Sequence, residues 1–204
     1  MTQTGDASLH WQGPGVSRGD RERQHRQRAA VVWITGLSGA GKSTLAFDIE
    51  RQLHLQGCHT YTLDGDNLRR RICADLGFSA ADRSENVRRT AEIARLFLDA
   101  GVITLVALIS PLAADRAAAR AIVGGEDFIE VFCACPLEVC EARDVKGLYR
   151  RARRGEIEHF TGISAPYEAP AHPEIVVNTA RHDLAHCAGM VLDGLRARGI
   201  GRLA

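Results

Sequence analysis

From residue 30 onward the chain alternates short apolar runs with stretches whose apolar residues recur every three or four positions. Ala30 to Thr35 (AVVWIT) and Val102 to Ile109 (VITLVALI) are continuously apolar, and Phe128 to Cys135 (FIEVFCAC) and Ile175 to Val177 repeat the pattern. His59 to Leu63 (HTYTL) is weaker but leads into a glycine-containing turn. Unbroken apolarity of this kind is what a strand covered on both faces requires. Between the runs, Val87, Ala91, Ala94 and Leu98 form one apolar helical stripe, with Asp82 as the expected N-terminal cap and Glu85 three residues on as its box partner. Leu184, Ala188, Val191 and Leu195 make a second stripe, closed by Gly199. Strands alternating with helices at ~30-residue spacing imply βαβ crossovers and a parallel sheet. The pattern predicts one doubly wound domain over 30–204, a three-layer α/β/α fold with five mainly parallel strands.

Two regions break the rhythm. Residues 1–29 hold few apolar anchors and read as a polar, Arg-rich N-terminal arm. Residues 143–170 are long and polar, with six basic residues against the single acid Asp144 between Arg143 and Arg154. This second stretch admits two readings, a solvated helix face or a cationic lid over phosphates; its place late in an α/β domain favours the lid.

Composition narrows the function classes. Over 204 residues, 26 Lys+Arg against 25 Asp+Glu leave a net charge of +1, without the basic excess of a nucleic-acid or membrane-surface binder. The first thirty residues show no apolar run of signal-peptide length, and no segment approaches ~20 consecutive apolar residues. The six cysteines form no C-x-x-C pair and are expected to be structural, reduced thiols. A cytoplasmic protein is the expectation.

Gly36 to Ser43 reads GLSGAGKS and fits G-x-x-x-x-G-K-[ST] at every position, with a strand running in and the helix-forming TLAFDIERQL running out. Such a loop turns backbone N–H groups inward around phosphates at a helix N-terminus. Lys42 would then reach the β/γ-phosphates and the Ser43 hydroxyl would hold Mg²⁺. Of the 26 basic residues 24 are arginine, so the two lysines stand out: Lys42 lies in this loop and Lys146 in the expected lid. A compact ammonium suits a point contact with phosphate where a guanidinium fork does not fit. No Asn-Lys-x-Asp guanine-reading motif is present, and no apolar strand ends in a motor-type aspartate, which leaves a small kinase of metabolites or nucleotides.

The weaker strand ends in Leu63-Asp64-Gly65-Asp66-Asn67. Ligands of open α/β sheets bind outside the carboxyl ends of the strands, so Asp64 and Asp66 should face the phosphate loop. There a carboxylate can orient an attacking hydroxyl, accept its proton or hold a water of the Mg²⁺ shell; the plain alternative is an Asx turn. Arg69, with Arg83 and Asn86 on one helix face, suits an anionic acceptor. Phe78 and Phe160 stand in polar loops, placed either to sandwich a base or to pin a loop to the core.

These residues carry a family resemblance. From Trp11 to about Asn178 the chain resembles adenylyl-sulfate kinases through GLSGAGKSTLA at 36–46, LDGDN at 63–67, DLGFS at 75–79, DRSENVRR at 82–89, ISP at 109–111, PLEVCEARDVKGLYRRARRGEIEHFTGI at 136–163 and PYEAP at 166–170. The resemblance implies transfer of the ATP γ-phosphoryl to the ribose 3′-hydroxyl of adenosine 5′-phosphosulfate (APS), giving 3′-phosphoadenosine 5′-phosphosulfate (PAPS) and ADP, with Mg²⁺ required. It implies that Gly36, Leu37, Ser38, Gly39, Ala40, Gly41, Lys42, Ser43 and Thr44 cradle ATP, that Ser43 and Asp64 hold the metal, and that Lys42, Asp64 and Ser110 form the catalytic set. Asp64, Asp66, Arg69, Arg83, Asn86, Ile109 and Ser110 would contact the acceptor, Phe78 and Phe160 would sandwich its adenine, and Lys146, Gly147 and Leu148 would close with the lid. The family often has a phosphoserine at the position of Ser110; direct in-line transfer with Ser110 as a hydrogen-bonding residue is the alternative. Leu112 stands where the family usually has tyrosine, and Leu68-Arg69-Arg70-Arg71-Ile72-Cys73 departs from its usual V-R-H-G-L-N. A homodimer is expected from the resemblance, and a complex with an ATP sulfurylase from pathway logic. Against this stand a P-loop kinase for another polar metabolite and a nucleotide-binding module without turnover.

Overall fold

The computed structural model describes residues 12–13 and 15–202. The order of elements is α1 (Arg18–His25), β1 (Gln27–Arg28), β2 (Val31–Thr35), α2 (Lys42–Leu55), β3 (Thr60–Asp64), α3 (Gly65–Arg69), α4 (Ala80–Asp99), β4 (Ile103–Ala107), α5 (Ala113–Val123), β5 (Phe128–Ala134), α6 (Leu137–Arg143), α7 (Leu148–Arg153), β6 (Ile175–Asn178), α8 (Leu184–Arg196) and β7 (Gly201–Arg202). The five expected strands form one sheet in the order β3-β4-β2-β5-β6, and every pairing in it is parallel.

Burial explains why the runs are continuous. Alternate residues of β2 enter different cores: Val32 and Ile34 pack with Leu45, Ile49 and Leu53 of α2 and Val191 and Leu195 of α8. Val31 and Trp33 pack with Val87, Ala91, Ala94 and Leu98 of α4 and with Ala119 and Val123 of α5. A polar residue on either face would have to surrender its water. The α4 stripe read from the sequence is buried throughout; in α8, Leu184 is exposed and Cys187 is buried in its place. The α4 cap also differs from expectation: the helix begins one turn earlier, at Ser79, whose Oγ accepts from Asp82 N at 3.1 Å. Asp82 is therefore the third helical residue rather than the cap.

Part of the expected N-terminal arm is folded onto the domain; residues 1–11 and Pro14 lie outside the described residues. Ser17 and Asp20 close a capping box on α1, and Arg18 forks onto Asp127 at 2.5 and 3.0 Å. Gln27, fully buried, donates to the Gly101 and His59 carbonyls and accepts from His59 N. β1 pairs antiparallel with β7 in a separate two-stranded ribbon. No helix among the described residues is long and apolar enough to cross a membrane. The cysteines are free thiols, five of them buried.

Candidate active site

The loop after β2 is shaped by close backbone approach. Gly36 and Gly39 have φ of 149° and 76°, and a Cβ on either would come within 2.9 Å of a carbonyl, that of Cys133 or Cys140. The loop's own carbonyls are held from outside. Lys42 Nζ donates to Leu37 O at 2.7 Å, the Tyr149 hydroxyl to Ser38 O at 2.9 Å, Arg143 to Gly39 O at 3.2 Å and Thr179 Oγ1 to Ala40 O at 2.9 Å. The Ala40 N–H turns back onto Leu37 O at 3.2 Å; with the carbonyls so engaged, the remaining N–H groups can serve an anion. Gly41 caps α2 with no side chain, so the first amides of that helix stay available to a ligand. Burial pushes the Lys42 ammonium down from 10.5 to about 8.

Asp64, at the carboxyl end of β3, is buried and faces this loop. Its Oδ2 accepts from Ser43 Oγ at 2.6 Å, while Oδ1 accepts from Asp66 N at 3.0 Å and Asn67 N at 3.3 Å. Both readings of the DGDN turn are thus realised in one side chain: it caps α3 and presents an oxygen to the phosphate loop. Asp66 does not share that placement. It is exposed and pairs with Lys146, which ties the DGDN turn to the start of α7.

Beyond Asp64 lies an arginine-rich wall. Arg69 donates to Gly77 O at 2.7 Å, with its guanidinium carbon 4.5 Å from the Phe78 ring centroid. Arg83 donates to Phe78 O, Thr161 Oγ1 and His159 O, joining the Phe78 loop to the Phe160 loop. Neither guanidinium has a carboxylate partner among the described residues, and burial holds both below the usual arginine range, with the Arg69 charge adding to the effect on Arg83. Asn86 is buried, and its Oδ1 finds no hydrogen-bond partner among the described residues. Phe78 is 61% exposed beside this group. The wall is built for a planar, anionic ligand.

The adenylylsulphate kinase family model matches residues 28–178. The chain is 53% identical over 194 residues to the adenylyl-sulfate kinase of Acaryochloris marina and 51% identical over 193 residues to that of Geotalea daltonii, covering 95% of each chain in both cases. The chain belongs to the adenylyl-sulfate kinase family. Among solved structures, the APS kinase of Mycobacterium tuberculosis in complex with AMPPNP and APS superposes with a TM-score of 0.81 at 50% identity, over 83% of this chain and 99% of that one.

Within this family member the expected residues do not all fall as the sequence suggested. Phe160 is 8% exposed and packs edge-on against Tyr149 at 5.0 Å between centroids, so it pins its loop to the core while Phe78 alone stands open. Ser110 is 3% exposed, has a left-handed φ of 38°, and its Oγ accepts from Trp33 Nε1 at 3.1 Å. Ile109 is half-buried, and its carbonyl accepts from Thr35 Oγ1 at 2.7 Å. In the segment expected to be a lid, Lys146 is exposed, Gly147 starts α7 at φ 66°, and Leu148 packs on the core. Leu112, where the family usually carries tyrosine, sits at the N-terminus of α5 without a side-chain cap. Arg70 and Arg71 are exposed. Sequence reasoning missed Tyr149, Arg143 and Thr179 as supports of the phosphate loop. Their hold is on backbone carbonyls, which a residue pattern does not advertise.

Proposed function

We infer that this adenylyl-sulfate kinase transfers the γ-phosphoryl of ATP to the ribose 3′-hydroxyl of APS, yielding PAPS and ADP. The observation that carries the reading is the meeting, across the 2.6 Å Ser43–Asp64 bond, of a phosphate cradle and a wall of two guanidiniums that have no carboxylate partner among the described residues. The structure of an M. tuberculosis relative, half identical in sequence, is known in complex with AMPPNP and APS, a donor analogue and an acceptor, which supports this division.

The chemistry follows from placement. The loop amides and Lys42 hold the triphosphate and balance charge building on the transferred group. The Asp64 carboxylate receives the hydrogen bond, and then the proton, of the 3′-hydroxyl, fixing it in line with the γ-phosphorus. Arg69 and Arg83 take the phosphosulfate, and the open Phe78 ring takes the adenine. Ser43 Oγ and Asp64 Oδ2 are hard oxygen donors side by side, the set that suits Mg²⁺ sharing its shell with phosphate oxygens and water. Bound there, Mg²⁺ supplies charge neutralisation at the β- and γ-phosphates. Ser110 acts as a hydrogen-bonding residue, its hydroxyl being buried against Trp33.

In this reading residues 30–204 are the kinase unit, 143–170 its lid closing through Lys146, Gly147 and Leu148, and 1–29 an N-terminal arm whose described part packs onto that unit. The working form is a cytoplasmic homodimer. A coupled assay for ADP release tests the activity. Turnover is expected with APS and is expected to be absent with sugar or hydroxy-acid acceptors; turnover only with the latter, or ATP binding with no turnover at all, contradicts it.

A further inference from the structure

The segment from His159 to Glu168 borders an open surface depression of about 530 Å³ beside Leu37, lined by Gly162 through Tyr167. It contains no helix and no strand beyond a single bridge between Thr161 and Ala165, so its shape is set by what holds its ends. Arg83 holds one end, through His159 O at 2.8 Å and Thr161 Oγ1 at 3.2 Å.

Arg116 of α5 holds the other. Its guanidinium is 4% exposed and branches three ways: Nε to the Glu130 carboxylate at 2.8 Å, one terminal nitrogen to Ser110 O at 2.8 Å, the other to Glu168 O at 2.7 Å. Glu168 completes the ring. Its N–H donates to Pro111 O at 2.9 Å, and its carboxylate accepts from Ala113 N at 2.6 Å. Beside it, the Tyr167 and Thr35 hydroxyls lie 3.1 Å apart, and Thr35 reaches Ile109 O. A guanidinium that served only to neutralise Glu130 would have no need to bridge carbonyls of two separate loops. Arg120, one turn further along α5, is the contrast: it pairs with Glu174 and Phe128 O and reaches the Glu130 carboxylate at 3.7 Å, so it shares Arg116's acidic partner, yet it touches neither loop. The turn that Arg116 grips is the strained one, because the left-handed φ of Ser110 persists only where the surroundings impose it.

We propose that Arg116 and Glu168 form a clasp that positions the acceptor side of the site. It fixes the spacing between the Ile109–Ser110 turn and the 162–167 wall, and leaves the grip on ATP to the phosphate loop. Both act through main-chain atoms of other residues and are positioning residues. The inference rests on the functional reading above, in which Arg83 receives the acceptor, and adds that the 162–167 segment, whose near end Arg83 holds, borders the same acceptor.

The test uses the full-length enzyme. Glu168 is exposed, so Glu168→Ala strands no buried charge, and Glu168→Gln keeps an acceptor oxygen. Glu168→Ala should raise the KM for APS about tenfold, the equivalent of one lost hydrogen bond, with the KM for ATP unchanged, and Glu168→Gln should restore it. Arg116→Lys keeps a charge opposite Glu130 but cannot span both carbonyls, and should raise the APS KM at least as far. Arg120→Met should lower the melting temperature without moving either KM. An APS KM unchanged in Glu168→Ala and Arg116→Lys, an equal rise in both KM values, or an Arg120→Met effect of the same size overturns the clasp. Hydrogen exchange reads it without turnover: Glu168→Ala should speed exchange of the 162–167 amides, and unchanged exchange overturns the clasp even if APS proves not to be the acceptor. Absence of turnover by the wild type with APS overturns the functional reading instead.

Discussion

Replacing the phosphate-loop lysine should make the unliganded protein more stable while abolishing its activity. Lys42 is 9% exposed, and burial is the main cause of the fall of its pKa from 10.5 to about 8. A gap of that size corresponds to about 3 kcal/mol, which the folded protein bears for keeping the ammonium charged at pH 7. Lys42→Met keeps the packing of the stem and gives up the bond to Leu37 O, worth about 1 kcal/mol; that carbonyl still accepts from Ala40 N at 3.2 Å. The variant should therefore be about 2 kcal/mol more stable at pH 7, a rise in Tm of roughly 4–8 °C for a chain of this size. The sign has a pH signature. Because the folded pKa lies below the unfolded one, the penalty is complete below about pH 8, shrinks as pH rises from there towards 10.5, and is absent above. Thermal melts at pH 7 and pH 10 without nucleotide read both effects, and added ATP with Mg²⁺ should reverse the order by stabilising only the wild type. A variant less stable than wild type at pH 7, or an advantage that does not shrink by pH 10, refutes the reasoning.

Three further substitutions separate the parts of the site. Asp64→Asn should lower kcat by about 10²–10⁴-fold through loss of the proton acceptor, while its Oδ1 still caps α3 and Tm holds. A large fall in Tm with a small one in kcat would make Asp64 structural. Phe78→Ala should raise the APS KM about tenfold through lost stacking with the ATP KM unmoved, and an unmoved APS KM removes Phe78 from the acceptor site. Ser110→Ala should keep turnover within about tenfold of wild type, since it costs the Trp33 indole one acceptor, and ATP labelled at the γ-phosphate should leave no label on the wild-type protein. Complete loss of activity together with a labelled wild-type enzyme would restore the phosphoserine route.

What the sequence discloses and withholds divides along a physical line. The five sheet strands and the α4 stripe are legible because burial on two faces or on one leaves its period in the residues themselves. The phosphate loop is legible because its glycines and Lys42 admit few substitutes. α1 and β1 are not, since they hold to the domain through Arg18, Asp127 and Gln27, polar groups whose partners lie far along the chain. The Ser79 cap is masked in the sequence by Asp82, an equally good capping residue that forms the other half of the same interaction. The sequence leaves both roles open for Phe78 and Phe160; the fold exposes Phe78 and buries Phe160 against Tyr149, because exposure is decided by what the loop packs on. Arg116 looked like one of many arginines, and its three partners from separate elements exist only in the fold.

The central claim is that the γ-phosphoryl of ATP arrives on the ribose 3′-oxygen of APS. The most direct measurement is ³¹P NMR of the products formed from ATP and APS by the purified protein. The account predicts one new phosphomonoester resonance coupled to the ribose 3′ proton, growing in step with ADP, with the phosphosulfate intact. ADP produced while the acceptor stays unchanged, or phosphate on the 2′-oxygen, would contradict it.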